Sequence, residues 1–325
     1  MKERLNTLFL SLVGLLFFAT SCEKTLYDDL QPCDLWVEFN YDYNMQYVNR
    51  FEKEAQDVQL FVFDENGKFL TVFSDKSAPY MADFKMKLSL VPGKYTLLAY
   101  SGLDGNYAAV KLTPGTSTPE DLKVLVNRTA ENIVDKKLKP LLNGLIEKID
   151  VTGLYGQTIK MPMKKLTNQI RLVFQDLSKG GASNIDVNNY DLEITASNGA
   201  YNGKGESLSD PLLHYLPYFK ENLKGETGGA VIEFNTLRLF ANKNYRLIIR
   251  EKATGEELFN VRLADLLLQT KFYENNALSE QEYLDRQDRY VLVFAFDGRP
   301  MTKETFLSVA VWINGWLVRE QNVNN

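Results

Sequence analysis

Residues 58–73 read VQLFVFDENGKFLTVF, and this stretch decides the fold class. Two apolar and aromatic runs, 58–63 and 69–73, flank a polar centre. The pair Asn66-Gly67 supplies the positive φ angles that a tight hairpin turn requires. Because aromatic and β-branched residues also favour extended strands, the stretch predicts a β-hairpin.

Strand patterns continue on both sides of this hairpin. Residues 34–41 alternate apolar and polar side chains, which is the period-two pattern of a half-buried strand. Residues 84–90 alternate in the same way, and the run 94–100 follows after Val91-Pro92-Gly93. Proline and glycine suit the second and third positions of a type II turn, so these residues predict a second hairpin.

Residues 118–126 predict the one short helix of the first half of the chain. Thr118 can cap it, and Pro119 suits its first position. Glu120 and Asp121 complement the positive end of the helix dipole. The apolar residues that follow have helical spacing.

The second half also consists mainly of strand patterns separated by turns. The Gly-, Asn- and Ser-rich segment 197–210 predicts a surface loop. Residues 263–267 predict a brief helical turn, and residues 279–282 form a capping box that begins another helix. Asn314-Gly315 predicts the last tight turn. The predicted strands are 170–174, 190–195, 231–240, 245–250, 258–261, 289–296, 306–313 and 316–319.

Regularly spaced strands with few helices predict an all-β fold of two successive β-sandwiches. A length of 325 residues fits two domains at roughly 150 residues each. Gly153 and Gly156 flank the predicted boundary. We therefore expect one sandwich at 34–153 and the other at 154–325.

The N-terminus has the layout of a secretory signal. Lys2 and Arg4 precede an apolar run of 12 residues at 8–19, and small residues then lead to Cys22. A helix needs about 20 residues to span a bilayer, so the run predicts a signal core rather than a membrane anchor.

The end of this segment, Ala19-Thr20-Ser21-Cys22, resembles the bacterial lipobox, in which the cysteine is acylated and becomes the first residue of the mature protein. The resemblance implies a signal peptide at 1–21, a lipid on Cys22 and a tether at 22–33. Two or more acyl chains make membrane attachment durable. The alternative is an ordinary secretory signal with an incidental cysteine.

Composition argues against several classes of function. The formal net charge of −5 argues against nucleic acid or an anionic membrane surface as a partner. The chain has two cysteines, and with lipid on Cys22 no partner remains for Cys33. Its one histidine, His214, lies in the apolar stretch 212–216 and predicts a packed imidazole. The sequence thus indicates no structural zinc site, no cofactor and no catalytic triad.

Two groups of residues suggest chemistry or ligand binding. Glu282, Asp285 and Asp288 bring three carboxylates into one short stretch, and paired carboxylates suit glycoside hydrolysis. The alternative is a capped surface helix whose Asp–Arg pairs lock it to the sandwich. Trp312 and Trp316 suggest a sugar-stacking platform, with packing or a subunit contact as the alternative.

Five further segments are informative when they are taken together. They are CDLWV at 33–37, VQLFVFD at 58–64, FNTLRLF at 234–240, QEYLDRQDRY at 281–290 and VWINGW at 311–316. In this order they resemble the fimbrial anchor subunit family of the Bacteroidales, and the resemblance covers nearly the whole chain after Cys22. It implies two tandem transthyretin-like, Greek-key β-sandwiches in a lipid-tethered outer-membrane protein that ends a pilus and fixes it to the cell.

The resemblance also implies how subunits join. A sandwich that lacks one strand exposes backbone and an apolar groove, which a strand from another subunit can fill. In relatives that form the shaft, an arginine-directed protease is understood to remove the first strand. Here the first arginine after Cys22 is Arg50, beyond the predicted strand at 34–41. We therefore expect this subunit to keep its N-terminal strand and to couple through its other end, at 317–325.

Three functions are compatible with these patterns. The first is a structural fimbrial anchor without enzymatic activity or cofactor, exposed on the outer membrane at the base of the fimbrium. Its partners would be shaft subunits, through strand exchange, and the outer membrane, through lipid on Cys22. The second is a glycan-binding surface lipoprotein of a polysaccharide-uptake system. The third is a glycosidase.

Overall fold

The computed structural model describes residues 33–103, 105–153, 156–178, 185–223 and 228–319. Strands make up most of the regular structure in these ranges, so the predicted all-β class is confirmed. The predicted signal peptide at 1–21, Cys22 and the tether up to residue 32 lie outside the described residues.

Short strands follow one another along the chain. They are β1 (Cys33–Asn40), β2 (Val58–Phe63), β3 (Phe69–Asp75), β4 (Lys85–Leu90), β5 (Gly93–Ser101), β6 (Tyr107–Ala109), β7 (Lys123–Val126), β8 (Ile133–Val134), β9 (Leu142–Val151), β10 (Gln157–Lys165), β11 (Thr167–Asp176), β12 (Tyr190–Ala196), β13 (Ala200–Asn202), β14 (Leu213–Tyr215), β15 (Phe219–Leu223), β16 (Gly229–Leu237), β17 (Arg246–Glu251), β18 (Glu257–Arg262), β19 (Arg289–Phe296), β20 (Ala310–Ile313) and β21 (Trp316–Arg319). The hairpin predicted at 58–73 is confirmed as β2 and β3, with Gly67 at a φ of 73° in its turn.

The helices are few and short. They are α1 (Phe51–Glu54), α2 (Leu263–Leu268), α3 (Lys271–Asn275), α4 (Glu280–Arg286) and α5 (Lys303–Ser308), with 3₁₀ turns at Pro119–Asp121 and Val187–Asn189. The helix start predicted at 279–282 is confirmed, because the Ser279 hydroxyl caps α4 and accepts the backbone N–H of Glu282 at 3.1 Å, whereas the Glu282 carboxylate accepts a hydrogen bond from Arg286 Nε at 2.8 Å. Among the described residues, no helix has the length and apolar character needed to cross a membrane.

The first sandwich is built from seven strands in the order β3-β2-β5-β9-β10-β1-β4. β9 and β10 pair only between residues 142–144 and 163–165, so the sheet folds at this corner into two facing layers. β1 lies between β10, which is parallel to it, and β4, which is antiparallel. Its side chains Leu35, Val37 and Phe39 are buried in the core between the layers, which confirms the strand predicted at 34–41.

The second sandwich has two sheets. One has the order β15-β16-β11-β19-β20-β21, and it faces the other, which has the order β18-β17-β12-β14-β8. Their inward side chains, such as Leu172, Phe234 and Leu247, share one core. The first strand, β11, pairs in parallel with β19, just as β1 pairs in parallel with β10. Both sandwiches thus begin with a strand held by a later parallel partner.

A third, three-stranded sheet, β13-β7-β6, joins the two sandwiches. Val124 of β7 is buried in the same apolar core as Phe61 of β2 and Phe234 of β16. In addition, β8, which comes from the first half of the chain, extends the second sandwich beside β14. One apolar cluster therefore continues from the first half of the chain into the second sandwich, beside the separate interior core of the first sandwich.

The division into domains stays a prediction, and the strand pairing bears on its position. The predicted boundary between residues 153 and 154 falls between β9 and β10. β10 pairs with β9 and β1 of the first sandwich, and Leu166 then connects it to β11 of the second. We therefore propose that the division lies at Leu166.

The helix predicted at 118–126 is wrong. A single 3₁₀ turn spans Pro119–Asp121, and Asp121 Oδ2 accepts the backbone N–H of Thr118 at 2.8 Å. The chain then continues as β7, in which Val124 and Val126 alternate into the core. Burial of these β-branched side chains favours the strand and outweighs the capping signal.

Two other local predictions also need correction. The strand predicted at 306–313 begins only at Ala310, because Thr302 caps α5 and its hydroxyl accepts the backbone N–H of Thr305 at 3.2 Å. The second hairpin, predicted at 84–100, is wrong, because β4 pairs with β1 whereas β5 pairs with β2 and β9. Its turn at 91–93 is not type II either, since Gly93 lacks the positive φ that such a turn needs at its third position.

The surface loop predicted at 197–210 is largely buried in its first part. Residues 200–202 form β13, and Tyr201 is fully buried. Asn198 is also buried, and its amide donates to the carbonyl oxygen of Leu237 at 3.1 Å. Gly203 permits close approach, because a Cβ there would lie 2.3 Å from the carbonyl oxygen of Pro119. Small and polar residues here allow the two halves to pack tightly.

Candidate functional site

The carboxylate of Asp285 lies at the junction between the two sandwiches. Arg238 binds it with two hydrogen bonds, Nε to Oδ1 at 2.6 Å and Nη2 to Oδ2 at 2.7 Å. Lys164, at the end of β10, adds an ion pair at 3.3 Å. The Asp285 side chain is only 3% exposed, so this charge is neutralised in a buried setting.

A second group of ion pairs lies beside Asp285. Lys165 Nζ lies 2.8 Å from Glu54 Oε2 and 2.5 Å from Asp288 Oδ2. Arg289 Nη2 lies 3.1 Å from the other oxygen of Glu54. These contacts join α1 and β10 of the first half to the chain around α4 and β19. We use the name junction cluster for Glu54, Lys164, Lys165, Arg238, Asp285, Asp288 and Arg289.

The carboxylates that suggested glycoside hydrolysis all bind basic side chains. Glu282 accepts a hydrogen bond from Arg286 Nε at 2.8 Å, and Asp285 and Asp288 bind members of the junction cluster. A glycosidase needs one carboxyl group to protonate the leaving group and one to attack or to activate water. The geometry instead favours the alternative prediction, in which an Asp–Arg pair locks α4 in place.

Tyr43 also contributes to this junction. Its ring lies 4.2 Å from the guanidinium of Arg286 and 4.9 Å from the ammonium of Lys164. Burial raises the pKa of the Tyr43 hydroxyl, and the carboxylates of Asp285 and Glu282 raise it further. The neutral ring is thus a stable partner for the two cations.

The packed imidazole predicted for His214 is wrong. Alternation along β14 buries Leu213 and Tyr215 and turns His214 to the outer face, where its side chain is 38% exposed. Its Nδ1 lies 2.6 Å from Glu193 Oε2, and Arg250 Nη1 lies 2.5 Å from the other oxygen. His214 therefore belongs to a surface ion group.

Trp312 and Trp316 do not form one platform. Trp312 pairs with Leu317 across the β20–β21 hairpin, and neighbouring residues of a strand point to opposite faces, so Trp316 faces the other way. The Trp316 ring stacks on Tyr273 at 5.0 Å between centroids and 9° between planes. The contact supports the packing alternative for Trp316.

The second sandwich has a cleft at one side, between β18 and α2 on one wall and β20 and β21 on the other. The volume of this edge cleft is about 350 Å³. Polar and apolar side chains line it in equal number. The polar ones are Arg246, Asn260, Arg262, Asp265 and Gln269, and the apolar ones are Phe259, Val261, Leu266, Val311 and Val318.

Within the ranges that the structure describes, no group of three or more His, Cys, Asp or Glu side chains could hold a metal ion. Cys22, the predicted lipid-attachment site, lies outside these ranges.

Solved structures of similar fold place the chain in a class. A protein of Bacteroides thetaiotaomicron, provisionally described as polysaccharide binding, is 35% identical, with a TM-score of 0.79 over 89% of this chain and 99% of that one. A second protein of that species, provisionally described as an adhesin, is 29% identical, with a TM-score of 0.78 over 90% and 99%. The chain thus shares the β-sandwich fold of this class of Bacteroides proteins.

Comparison with protein families gives a more specific assignment than this fold class. The family model for the fimbrillin-A associated anchor proteins Mfa1 and Mfa2 matches residues 29–322, and the chain belongs to this family. The minor fimbrium anchoring subunit Mfa2 of Porphyromonas gingivalis is 23% identical over 312 residues, which are 93% of this chain and 91% of that protein. The solved structure of Mfa2 matches with a TM-score of 0.66 at 18% identity over 89% and 99%, a likeness of fold alone. The predicted family resemblance is confirmed.

Proposed function

We propose that the chain is a structural anchor and assembly-terminating subunit of a fimbrium. Lipid on Cys22 tethers it to the outer membrane, and strand exchange joins it to shaft subunits. It works without a cofactor and without catalysis. Membership of a family of fimbrial anchor proteins supports this role, and the pairing of Glu282, Asp285 and Asp288 with basic side chains supports the absence of glycosidase chemistry.

The observation that carries the proposal is the position of β1. Leu35 and Val37 are fully buried, and β1 has a partner strand on each side. Removal of β1 would expose the apolar core of the first sandwich to water. A subunit that keeps β1 has no vacancy for a donor strand in this sandwich, so a growing fibre ends there.

Deletion of the gene and electron microscopy of cells and medium test the anchoring role. We expect fibres that are shed into the medium or abnormally long, and the wild-type gene should restore short attached fibres. Fibres that stay attached with unchanged length in the deletion strain would refute the role.

The lipid tether has its own test. Mass spectrometry of the protein extracted from envelopes should find Cys22 acylated and at the N-terminus of the mature chain. Cys22→Ala should release the protein from envelopes and should fail to complement the deletion strain. An unmodified residue 22 in protein that is still bound to envelopes would rule out this attachment.

A second candidate function is glycan binding by a surface lipoprotein of a polysaccharide-uptake system. It is favoured by exposed aromatic side chains, with Phe272 at 70% and Tyr273 at 48% exposure, and by the similar protein provisionally described as polysaccharide binding. A panel of bacterial and host polysaccharides tests it by calorimetry. Binding that Phe272→Ala and Tyr273→Ala abolish would favour this function over the anchor.

A further inference from the structure

In the part of the chain that the structure describes, no strand covers one side of the second sandwich, whereas the chain itself covers the opposite side. β18 and β21 are the last strands of the two facing sheets, and the edge cleft lies between them. At the opposite side, β8 from the first half of the chain completes one sheet. There Asn222 of β15 also accepts the backbone N–H of Val187 at 2.8 Å. The open side is therefore where an added strand would meet least obstruction.

The edge cleft is shaped for extended chain with apolar side chains at alternate positions. Val311 and Val318 line one wall, and Phe259 and Val261 line the other. At the turn end of β21, the Trp316 ring stacks on Tyr273. An entering strand would therefore lie beyond this stack, alongside residues 317–319 of β21.

The backbone of Leu317 faces this open side. The turn residues Asn314 and Gly315 have φ angles of 49° and 87°, as in a two-residue type I′ hairpin. Ile313 and Trp316 flank this turn and form its hydrogen-bonded pair, so the N–H and C=O of the next residue, Leu317, point away from β20. No strand in the described part of the chain pairs with that edge of β21.

The residues that follow β21 are poor candidates to fill the cleft. Residues 320–325 read EQNVNN and include one apolar side chain, Val323. An extended strand that fills an apolar cleft needs apolar side chains at alternate positions. The chain belongs to a family of fimbrillin-associated anchor proteins, so the occupant that fits the proposed function is a segment of another fimbrial subunit.

We propose that the free edge of β21 accepts an extended segment of a shaft subunit, which continues the sheet and buries alternate valine-, isoleucine- or leucine-sized side chains in the edge cleft. The inference rests on the proposed function, because it locates the strand exchange. It makes the chain the acceptor at its C-terminal sandwich, whereas sequence analysis expected residues 317–325 to be the coupling segment itself.

Substitution of Leu317 tests the inference. Leu317→Pro removes the outward N–H, which proline cannot supply, but keeps the bonds between β20 and β21. Leu317→Ala is the matched control, because it keeps the N–H and shortens a side chain that is 38% exposed. The probe is the purified shaft subunit of the same strain, and its affinity for the full chain in detergent is measured by surface plasmon resonance.

We expect Leu317→Pro to weaken binding by about tenfold or more, and Leu317→Ala to change it by less than about threefold. Hydrogen exchange of the Leu317 amide in the wild-type chain should slow by at least about tenfold when the shaft subunit binds. Thermal unfolding of both variants should match the wild type, because neither change touches the core.

Each other outcome overturns the inference in a distinguishable way. Equal binding by the wild type and Leu317→Pro would place the exchange at another edge and leave the proposed function intact. An equal loss of affinity in Leu317→Pro and Leu317→Ala would indicate a side-chain contact on the face of the sheet instead of backbone pairing at its edge. A wild-type chain that does not bind the shaft subunit would refute the proposed function and the inference together.

Discussion

Lys165 is a buried cation that holds carboxylates from two distant parts of the chain. Its side chain is 6% exposed, and it contacts Glu54 and Asp288. A buried ion pair adds little stability over an apolar pair, but removal of one partner leaves a buried charge without compensation. The junction cluster is therefore sensitive to single substitutions.

We expect Lys165→Ala to lower the free energy of unfolding by about 3 to 5 kcal/mol, because Glu54 and Asp288 lose their shared cation. Urea denaturation followed by tryptophan fluorescence measures this change. Lys160→Ala is the control. Its side chain is 74% exposed, and its pair with Glu38 is 4.0 Å long, so it should cost less than about 0.5 kcal/mol. Equal effects of the two substitutions would contradict the importance of the junction cluster.

The ion group around Glu193 predicts a dependence of stability on pH. Burial alone would raise the pKa of Glu193, but hydrogen bonds from Arg250 and His214 outweigh burial and lower this pKa below its ordinary value of 4.5. A carboxyl group with a lowered pKa contributes stability above its unfolded pKa and loses that contribution as the pH falls through its folded pKa.

We therefore expect Glu193→Gln to be less stable than the wild type at pH 7, with a difference that shrinks as the pH falls below about 4.5. Thermal unfolding of both proteins between pH 7 and pH 3 measures the difference. A difference in stability that stays constant over this pH range would show that the charge of Glu193 does not contribute to stability.

At this scale, the sequence indicates the right residues but not their partners. The stretch around Asp285 drew attention because it concentrates charge, and an Asp–Arg pair was expected. The partner Arg238 is 47 positions away, and Lys165 is 111 positions from Glu54. Contacts at such separations depend on how the sheets stack, which local patterns do not encode. The prediction of a packed imidazole is wrong because His214 alternates with its apolar neighbours along a strand. The neighbours face the core, and His214 faces outward.

The loop from 41 to 50 is held by asparagine side chains. Asn49 Oδ1 accepts the backbone N–H groups of Tyr41 at 2.9 Å and Phe51 at 3.0 Å. Asn49 Nδ2 donates to the carbonyl oxygen of Phe39 at 3.2 Å. The peptide bond after Arg50 lies within this network. A protease needs an extended, accessible segment, so the network protects this bond.

We expect Asn49→Ala to speed cleavage after Arg50 by an arginine-specific protease about tenfold or more, because three backbone contacts are lost and local opening becomes easier. Mass spectrometry of the fragments measures the rate under native conditions. Val48→Ala, in the same loop and 53% exposed, should cleave at the wild-type rate. Rapid cleavage of the wild-type chain at Arg50 would contradict the protection.

Elements with uninterrupted alternation or a glycine turn were predictable, as β1 and the β2–β3 hairpin illustrate. Residues 118–126 were not, because a capping signal and a period-two apolar pattern compete there. Tertiary burial of Val124 and Val126 decides between them. The opposite outcome occurs at the start of the strand predicted at 306–313. Its apolar residues predict a strand, but Thr302 caps a helix there.

The whole molecule is joined by a core that crosses between its halves. Residues of β2, β7 and β16 belong to one apolar cluster, and the junction cluster adds ion pairs beside it. The sequence predicts two successive sandwiches but not the apolar cluster that they share. The pairing of β8 with β14 and of β7 with β13 joins segments far apart in sequence, which no local pattern indicates.

We expect the chain to unfold in one cooperative transition, since neither half can bury its apolar surface alone. Differential scanning calorimetry should give a calorimetric enthalpy equal to the van't Hoff enthalpy. A fragment of residues 166–325 should aggregate, because it lacks β7 and β8. Two separate transitions, or a soluble folded fragment, would contradict this expectation.

The parallel pairing of β1 and β10 bears on how the molecule carries mechanical load. In the tether that we propose, a pull that reaches Cys33, the first residue of β1, runs along the axis of that strand. The hydrogen bonds to β10 and β4 lie across this direction, so force shears them together instead of unzipping them one by one. An anchor built in this way resists drag on its fibre with a whole sandwich at once.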